Sequence, residues 1–221
     1  MIMNFKKVMI TDKIHLFLFN TQKDAASTFM RFEESYESPK FRGKVFSFEE
    51  FKKWYIKNSP NSQRGEIFTY YTDWTAFNVP SYVLKPFYDG KFNPLSSQEK
   101  KVLDMLKHEP HPFYIIALHK QTEDMSSVLD HEVAHGLFHL DKDYSRAVFK
   151  LLANYNVEPI KNKLRMGGGY HEETMTDEVQ ALIIDGNEEC RNLISNDLAE
   201  SLKRLYQKYL NINNASLPTI N

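Results

Sequence analysis

Two histidines and a glutamate in the stretch LDHEVAHGLFHLD (129–141) are the residues whose types and spacing best suit metal chemistry. Because a helix advances about 100° per residue, His131 and His135 stand one above the other, roughly 6 Å apart along the helix axis. Two imidazole nitrogens at that separation suit a Zn²⁺ ion, and Glu132 is rotated to the flank of the pair. The pattern predicts that the histidines hold the metal and that Glu132 takes a proton from its water as general base.

A further histidine, His139, lies eight residues after His131, which is about 12 Å along a straight helix. It can share an ion with His131 only if the helix breaks, for which Gly136 offers a place. We therefore favour a packing role for His139, beside the site, with metal binding as the alternative.

A catalytic zinc usually has three protein ligands and one open position, so a third ligand is expected downstream. The segment GGGYHEETMTDEVQALIIDG predicts a helix over 174–185, closed by Gly186, with Glu178 one turn in. Ala181 leaves room for a neighbouring helix to approach. We predict Glu178 as the third ligand; the alternatives are Asp177, His171, Glu172 and Glu173, besides His139.

The elements around the motif suit such a site. Ser126 or Ser127 can cap the helix that carries the histidines. The segment FYIIALHK (113–120) directly upstream is the most strand-like in the chain. An extended peptide substrate can lie along the edge of a strand and use its backbone hydrogen bonds, so we expect 113–120 to offer such an edge.

The remaining sequence predicts a mixture of strands and helices. Alternation and capping patterns predict strands at 14–19 and 66–74 and helices at 21–34, from 47 onward and at 97–108. Further helices are expected at 145–155, 174–185 and 196–210, with a loop that includes 166–171. The fold class is therefore α+β in a single domain over 1–221, whose parts are an N-terminal α/β part (1–110), a mainly helical metal-site part (111–212) and a tail (213–221).

Composition narrows the class of protein. Among 221 residues, 42% are hydrophobic and 14% aromatic, which is enough for a sizeable core. A net charge of −1 gives no electrostatic reason to expect a nucleic-acid or membrane partner. With the single cysteine Cys190, no apolar run of 18 residues and no cleavable leader pattern, a cytoplasmic protein is expected. Export by a signal of another kind is the alternative.

The pattern HExxHxxxH, followed by a helix with an acid, two residues and alanine, resembles the zincin-type metallopeptidases of the gluzincin kind. Within them it is most similar to the ImmA/IrrE-like group, over residues 113–185. The resemblance implies a zincin-like fold, a zinc ion bound by His131, His135 and Glu178, Glu132 as base and a peptide or protein substrate. The chain differs from that group in an additional helix, SRAVFKLLANY, and in LeuIleIle after Ala181.

Hydrolysis also needs a hydrogen-bond donor that stabilises the negative charge developing on the substrate oxygen. Tyr170 and His171, just after three glycines, are the candidates on a loop that can close, and His119 is an alternative. Two other functions stay open. One is hydrolysis of a non-peptide amide at the same site, and the other is a non-catalytic protein whose zinc or histidine cluster is structural.

Overall fold

The computed structural model describes residues 5–38, 40–59, 61–62, 65–167 and 174–218. Contacts between residues group the chain into two compact units. The first unit comprises Met1–Val8 and Leu16–Thr122, and the second comprises Met9–His15 and Glu123–Asn221. The described residues form an α+β architecture with a four-stranded mixed sheet, which confirms the predicted class at that level.

Among the described elements, the first part of the chain contains all four strands of the sheet, together with five helices and a 3₁₀ turn. In chain order they are β1 (Phe5–Thr11), β2 (Ile14–Phe19), α1 (Gln22–Tyr36), α2 (Phe48–Asn58), α3 (Tyr70–Asp73), β3 (Phe77–Pro80), a 3₁₀ turn (Ser81–Leu84), α4 (Lys85–Tyr88), α5 (Ser97–Leu106) and β4 (Tyr114–His119). Only two residues connect β1 to its neighbour β2, and a connection that short joins antiparallel strands.

Strand β4 lies inside the sheet, whose strand order is β1-β2-β4-β3. It pairs antiparallel with β3, where Val79 lies opposite Ile115, and all six of its residues are buried. The expectation that 113–120 offers a free edge to a substrate is therefore wrong, because β2 and β3 occupy both sides of this strand. A run of apolar residues without alternation marks a strand that is covered on both faces, and such strands lie in sheet interiors.

The segment 66–74 contains the short helix α3 (Tyr70–Asp73) instead of the predicted strand. The aromatic residues of this segment pack in the core of the first unit, where Tyr70 is fully buried. Asp73 accepts a hydrogen bond of 2.5 Å from the hydroxyl group of Tyr55 in α2. Packing of this kind outweighs the local preference of β-forming residues for a strand.

Local capping signals are confirmed at the starts of two predicted helices. The hydroxyl of Thr21 accepts a hydrogen bond from the backbone of Asp24 at the start of α1. Ser47 and Glu50 form a reciprocal capping box at the start of α2. Each cap satisfies backbone N–H groups that have no partner inside the helix. Because the capping residue and its partner are three residues apart, such caps can be recognised from the sequence alone.

The second unit is helical apart from the tip of the β1–β2 hairpin. Its helices are α6 (Met125–Leu140), α7 (Lys142–Leu152), α8 (Glu158–Gly167), α9 (Met175–Asp185), α10 (Glu188–Arg191) and α11 (Asn196–Ile212). Asp124 caps α6 by accepting from the backbone of Ser127, so the predicted serine cap is replaced by an aspartate just upstream. Helix α6 packs against α9 and α7, and α11 packs against α7 and α9.

Within the described ranges, none of the helices has both the length and the apolar character that crossing a bilayer requires.

Candidate metal centre

Helix α6 places the two imidazoles of the motif side by side. Their ring centroids lie 4.8 Å apart, and the distance between the Nε2 atoms of His131 and His135 is 3.1 Å. Two ligands of a tetrahedral zinc ion with bonds of about 2.0–2.1 Å are separated by roughly 3.3 Å. The two Nε2 atoms therefore have the spacing that a shared ion requires.

The opposite nitrogen of each ring contacts a carboxylate of α9. Nδ1 of His131 lies 2.8 Å from Oδ2 of Asp185, and Nδ1 of His135 lies 2.9 Å from Oδ1 of Asp177. A carboxylate can only accept, so each Nδ1 carries the proton of its hydrogen bond. If both rings were neutral, the two Nε2 lone pairs would face each other and repel, so the 3.1 Å separation requires either a metal ion between them or a proton on one Nε2 atom. Metal-binding histidines are commonly oriented by carboxylates in this way.

Glu178 supplies the third donor of the group. Its Oε1 atom lies 3.8 Å from Nε2 of His135, and the ligand atoms of His131, His135 and Glu178 all lie within 4.8 Å of one another. These three residues could hold a metal ion. The alternative ligand Asp177 instead contacts Nδ1, the ring nitrogen on the side away from the other imidazole.

The order of these contacts shows that α6 and α9 run antiparallel. Asp177 and Glu178, near the start of α9, meet His135, whereas Asp185 at its end meets His131. Gly186 follows with a φ angle of 77°, a left-handed conformation that suits glycine and ends the helix there.

Burial and charge make the centre attractive to a cation. Burial raises the pKa of the Glu178 carboxyl, and the two imidazoles offset only part of that increase. Burial alone would lower the pKa of His135, but the charges of Asp177 and Glu178 hold it well above the ordinary value. Both raised pKa values indicate that positive charge is favoured at this centre. A proton or a metal ion can therefore bind there and compensate the buried carboxylates.

Glu132 is buried beside the same group, with 7% of its surface exposed. Its charge is the smallest of the contributions that raise the pKa of His135 and Glu178. Its oxygens are not part of the three-residue group.

The donor set fits a divalent ion but does not select one. Two imidazoles and a carboxylate suit zinc, and they also accept other transition metals. Within the described residues the group has three members, which is the usual number of protein ligands in a catalytic zinc site; structural sites usually have four.

The other candidate residues fall in different places. His139 is exposed one turn beyond His135 and lies outside the group. His119 ends β4 in the first unit, where burial lowers its pKa and neither ring nitrogen has a hydrogen-bond partner among the described residues. Tyr170 and His171, the candidate oxyanion donors, and the alternative ligands Glu172 and Glu173 all lie outside the described residues.

The sequence analysis did not identify Asp185, and it considered Asp177 only as an alternative metal ligand and not as a residue that orients an imidazole. Asp185 lies seven residues after Glu178, which is two turns of helix and therefore the same face. An acid on the same helix face as the predicted ligand Glu178 was the signal available. Gln180 and Tyr144, which are hydrogen-bonded to each other, extend the contacts of Asp177. Neither could be recognised from the sequence, because both are uncharged and Tyr144 is distant from Asp177 in the chain.

Comparison of this chain with protein-family models, with curated proteins and with solved structures found no match.

Proposed function

We propose that this chain is a zinc-dependent metallopeptidase whose metal is held by His131, His135 and Glu178. The observation that carries the proposal is the pair of Nε2 atoms 3.1 Å apart, with a buried carboxylate of Glu178 beside them. Two facing imidazole nitrogens among buried carboxylates attract a cation, and a metal ion can replace the proton that occupies this position in the metal-free protein. Peptide as the substrate class is supported by the resemblance of the motif and its downstream acid to gluzincins.

When bound, zinc supplies Lewis acidity, which polarises a carbonyl oxygen and makes water more acidic. Glu132 accepts a proton from water and returns it to the departing amine, which a buried carboxylate near the ligands can do without leaving its helix. Asp177 and Asp185 keep the protons of the two imidazoles on Nδ1, so that the Nε2 lone pairs remain available. Tyr170 and His171 are the proposed donors to the substrate oxygen.

The proposal is tested with zinc-loaded protein, a library of unlabelled peptides and mass spectrometry of the products. Substituting Glu132→Gln should reduce cleavage on the order of 100- to 10,000-fold, because a general base is lost. Zinc content, measured by elemental analysis, should stay near that of the unaltered protein. Glu123→Gln makes the same chemical change at an exposed residue and is expected to leave cleavage unchanged.

Four results would each contradict a different part of the proposal. Protein that takes up no divalent metal would remove the metal centre. Metal uptake with no cleavage of any peptide would favour the structural alternative, and activity on small amides alone would favour the non-peptide hydrolase. Undiminished cleavage by Glu132→Gln would remove the assigned base.

A further inference from the structure

A chain of hydrogen bonds, fully buried at its tyrosine end, connects helix α7 to the candidate ligand His135. The hydroxyl of Tyr144 donates to Oε1 of Gln180 over 2.8 Å, and Nε2 of Gln180 donates to Oδ1 of Asp177 over 3.0 Å. That same oxygen lies 2.9 Å from Nδ1 of His135. We propose that Tyr144 and Gln180 are positioning residues, which hold the Asp177 carboxylate against Nδ1 and so leave Nε2 of His135 free to bind metal. This inference rests on the proposed metal centre.

The direction of every bond in this chain is fixed by its members. An ionised carboxylate only accepts, so Gln180 must present its amide nitrogen to Asp177 and its amide oxygen to Tyr144. That oxygen in turn requires the tyrosine hydroxyl to donate. Each donor therefore has one orientation, and reversing any group would place two donors or two acceptors face to face.

The exposure of the three side chains explains why the Asp177 carboxylate needs the hydrogen bond from Gln180. The side chain of Asp177 is 21% exposed, so water competes with its hydrogen bonds to His135 and Gln180. Gln180 is fully buried, and so is Tyr144. Since water does not reach these two groups, their bonds persist and fix one position of the carboxylate.

Helix α7 supplies the outer end of this chain, and it is held firmly itself. Its N-cap Asp141 accepts a hydrogen bond of 3.0 Å from the backbone of Tyr144. The ring of Tyr144 packs 5.2 Å from that of Tyr209 in α11. The additional helix between the histidines and Glu178, which the family resemblance does not predict, thereby acquires a role in the geometry of the site.

The test compares zinc affinity, measured by competition with a chelator, in three variants. Tyr144→Phe removes one hydroxyl and should weaken binding about fivefold, the usual effect of one hydrogen bond. Gln180→Met keeps the volume but removes the donor to Asp177 and should weaken binding about 10- to 100-fold. Tyr206→Phe is the matched control, because it removes a buried tyrosine hydroxyl whose 2.8 Å bond goes to Asp130 and not to a residue of this chain of bonds.

A second measurement works without metal. The Nδ1 proton of His135, followed by ¹H–¹⁵N spectroscopy, should exchange slowly in the unaltered protein and in Tyr206→Phe, and faster in Tyr144→Phe and Gln180→Met. Zinc affinity and proton exchange that are unchanged in Tyr144→Phe would overturn the inference, and this variant decides it if Gln180→Met does not fold. An unaltered protein that binds no zinc would instead overturn the proposed function, while proton exchange still reports on the positioning chain.

Discussion

The Nε2 atoms of His131 and His135 lie 3.1 Å apart, while the Nδ1 atom of each ring contacts an aspartate of the facing helix. This relationship assigns a separate role to each nitrogen: Nδ1 binds the protein and Nε2 is left for a ligand. It also means that buried carboxylates surround a position that attracts either a proton or a metal ion, which leads to the first prediction.

Glu178→Gln should have opposite effects on stability with and without zinc. Without metal the variant should be the more stable protein, because it removes a buried charge that lies among other carboxylates. Zinc at 100 times its dissociation constant should stabilise the unaltered protein by about 2.7 kcal/mol and the variant by much less. Thermal unfolding of both proteins with zinc and with a chelator measures this, and equal metal-induced shifts would contradict Glu178 as a ligand.

Asp185→Asn should weaken zinc binding by about 10- to 100-fold. Oδ1 of Asp185 accepts from the backbone of Asn187 over 2.7 Å, so the oxygen of an asparagine would stay there and its NH₂ group would face His131. Nδ1 of His131 would then have to accept, which moves the ring proton to Nε2 and blocks the metal position.

Asp130→Asn is the control for this experiment. It makes the same change one residue before His131, but it retains the oxygen that accepts from Tyr206. Zinc affinity measured by chelator competition should be unaltered in this variant. A loss of affinity as large as that of Asp185→Asn would show that any added amide near the helix perturbs the site.

Glu34 should make the stability of the first unit depend on pH. Burial raises the pKa of this carboxyl from 4.5 to about 7, and the hydroxyls of Tyr70 and Ser38 offset only part of the effect. The pKa of Glu34 in the folded state is above that in the unfolded state. Its contribution to the free energy of unfolding is therefore fully present below pH 4.5 and is lost as pH rises through about 7. Glu34→Gln should therefore match the unaltered protein at pH 4 and be more stable at pH 8 by about 3 kcal/mol.

Urea unfolding followed by tryptophan fluorescence measures this difference, because both tryptophans of the chain, Trp54 and Trp74, belong to the first unit. Glu66→Gln, at an exposed residue of the same unit, should show no pH-dependent gain. A difference between Glu34→Gln and the unaltered protein that does not change from pH 4 to pH 8 would mean that Glu34 ionises normally in the folded protein.

The sequence determined the features that depend on neighbours along the chain. Helical geometry puts His131 and His135 on one face wherever the helix lies, so their juxtaposition followed from a spacing of four residues. The caps at Thr21 and Ser47 likewise join residues three apart, and the C-terminal glycine of α9 requires only its own backbone conformation.

Which acid meets which nitrogen depends on how α9 packs against α6, and the sequence did not reveal this. Asp177 and Glu178 are adjacent, and successive residues point about 100° apart, so the rotation of α9 against α6 assigns one to Nδ1 and the other to the metal group. The same holds for β4, whose neighbours β2 and β3 come from distant parts of the chain. A sequence specifies angles and spacings within an element, whereas the partners across an interface depend on how whole surfaces pack.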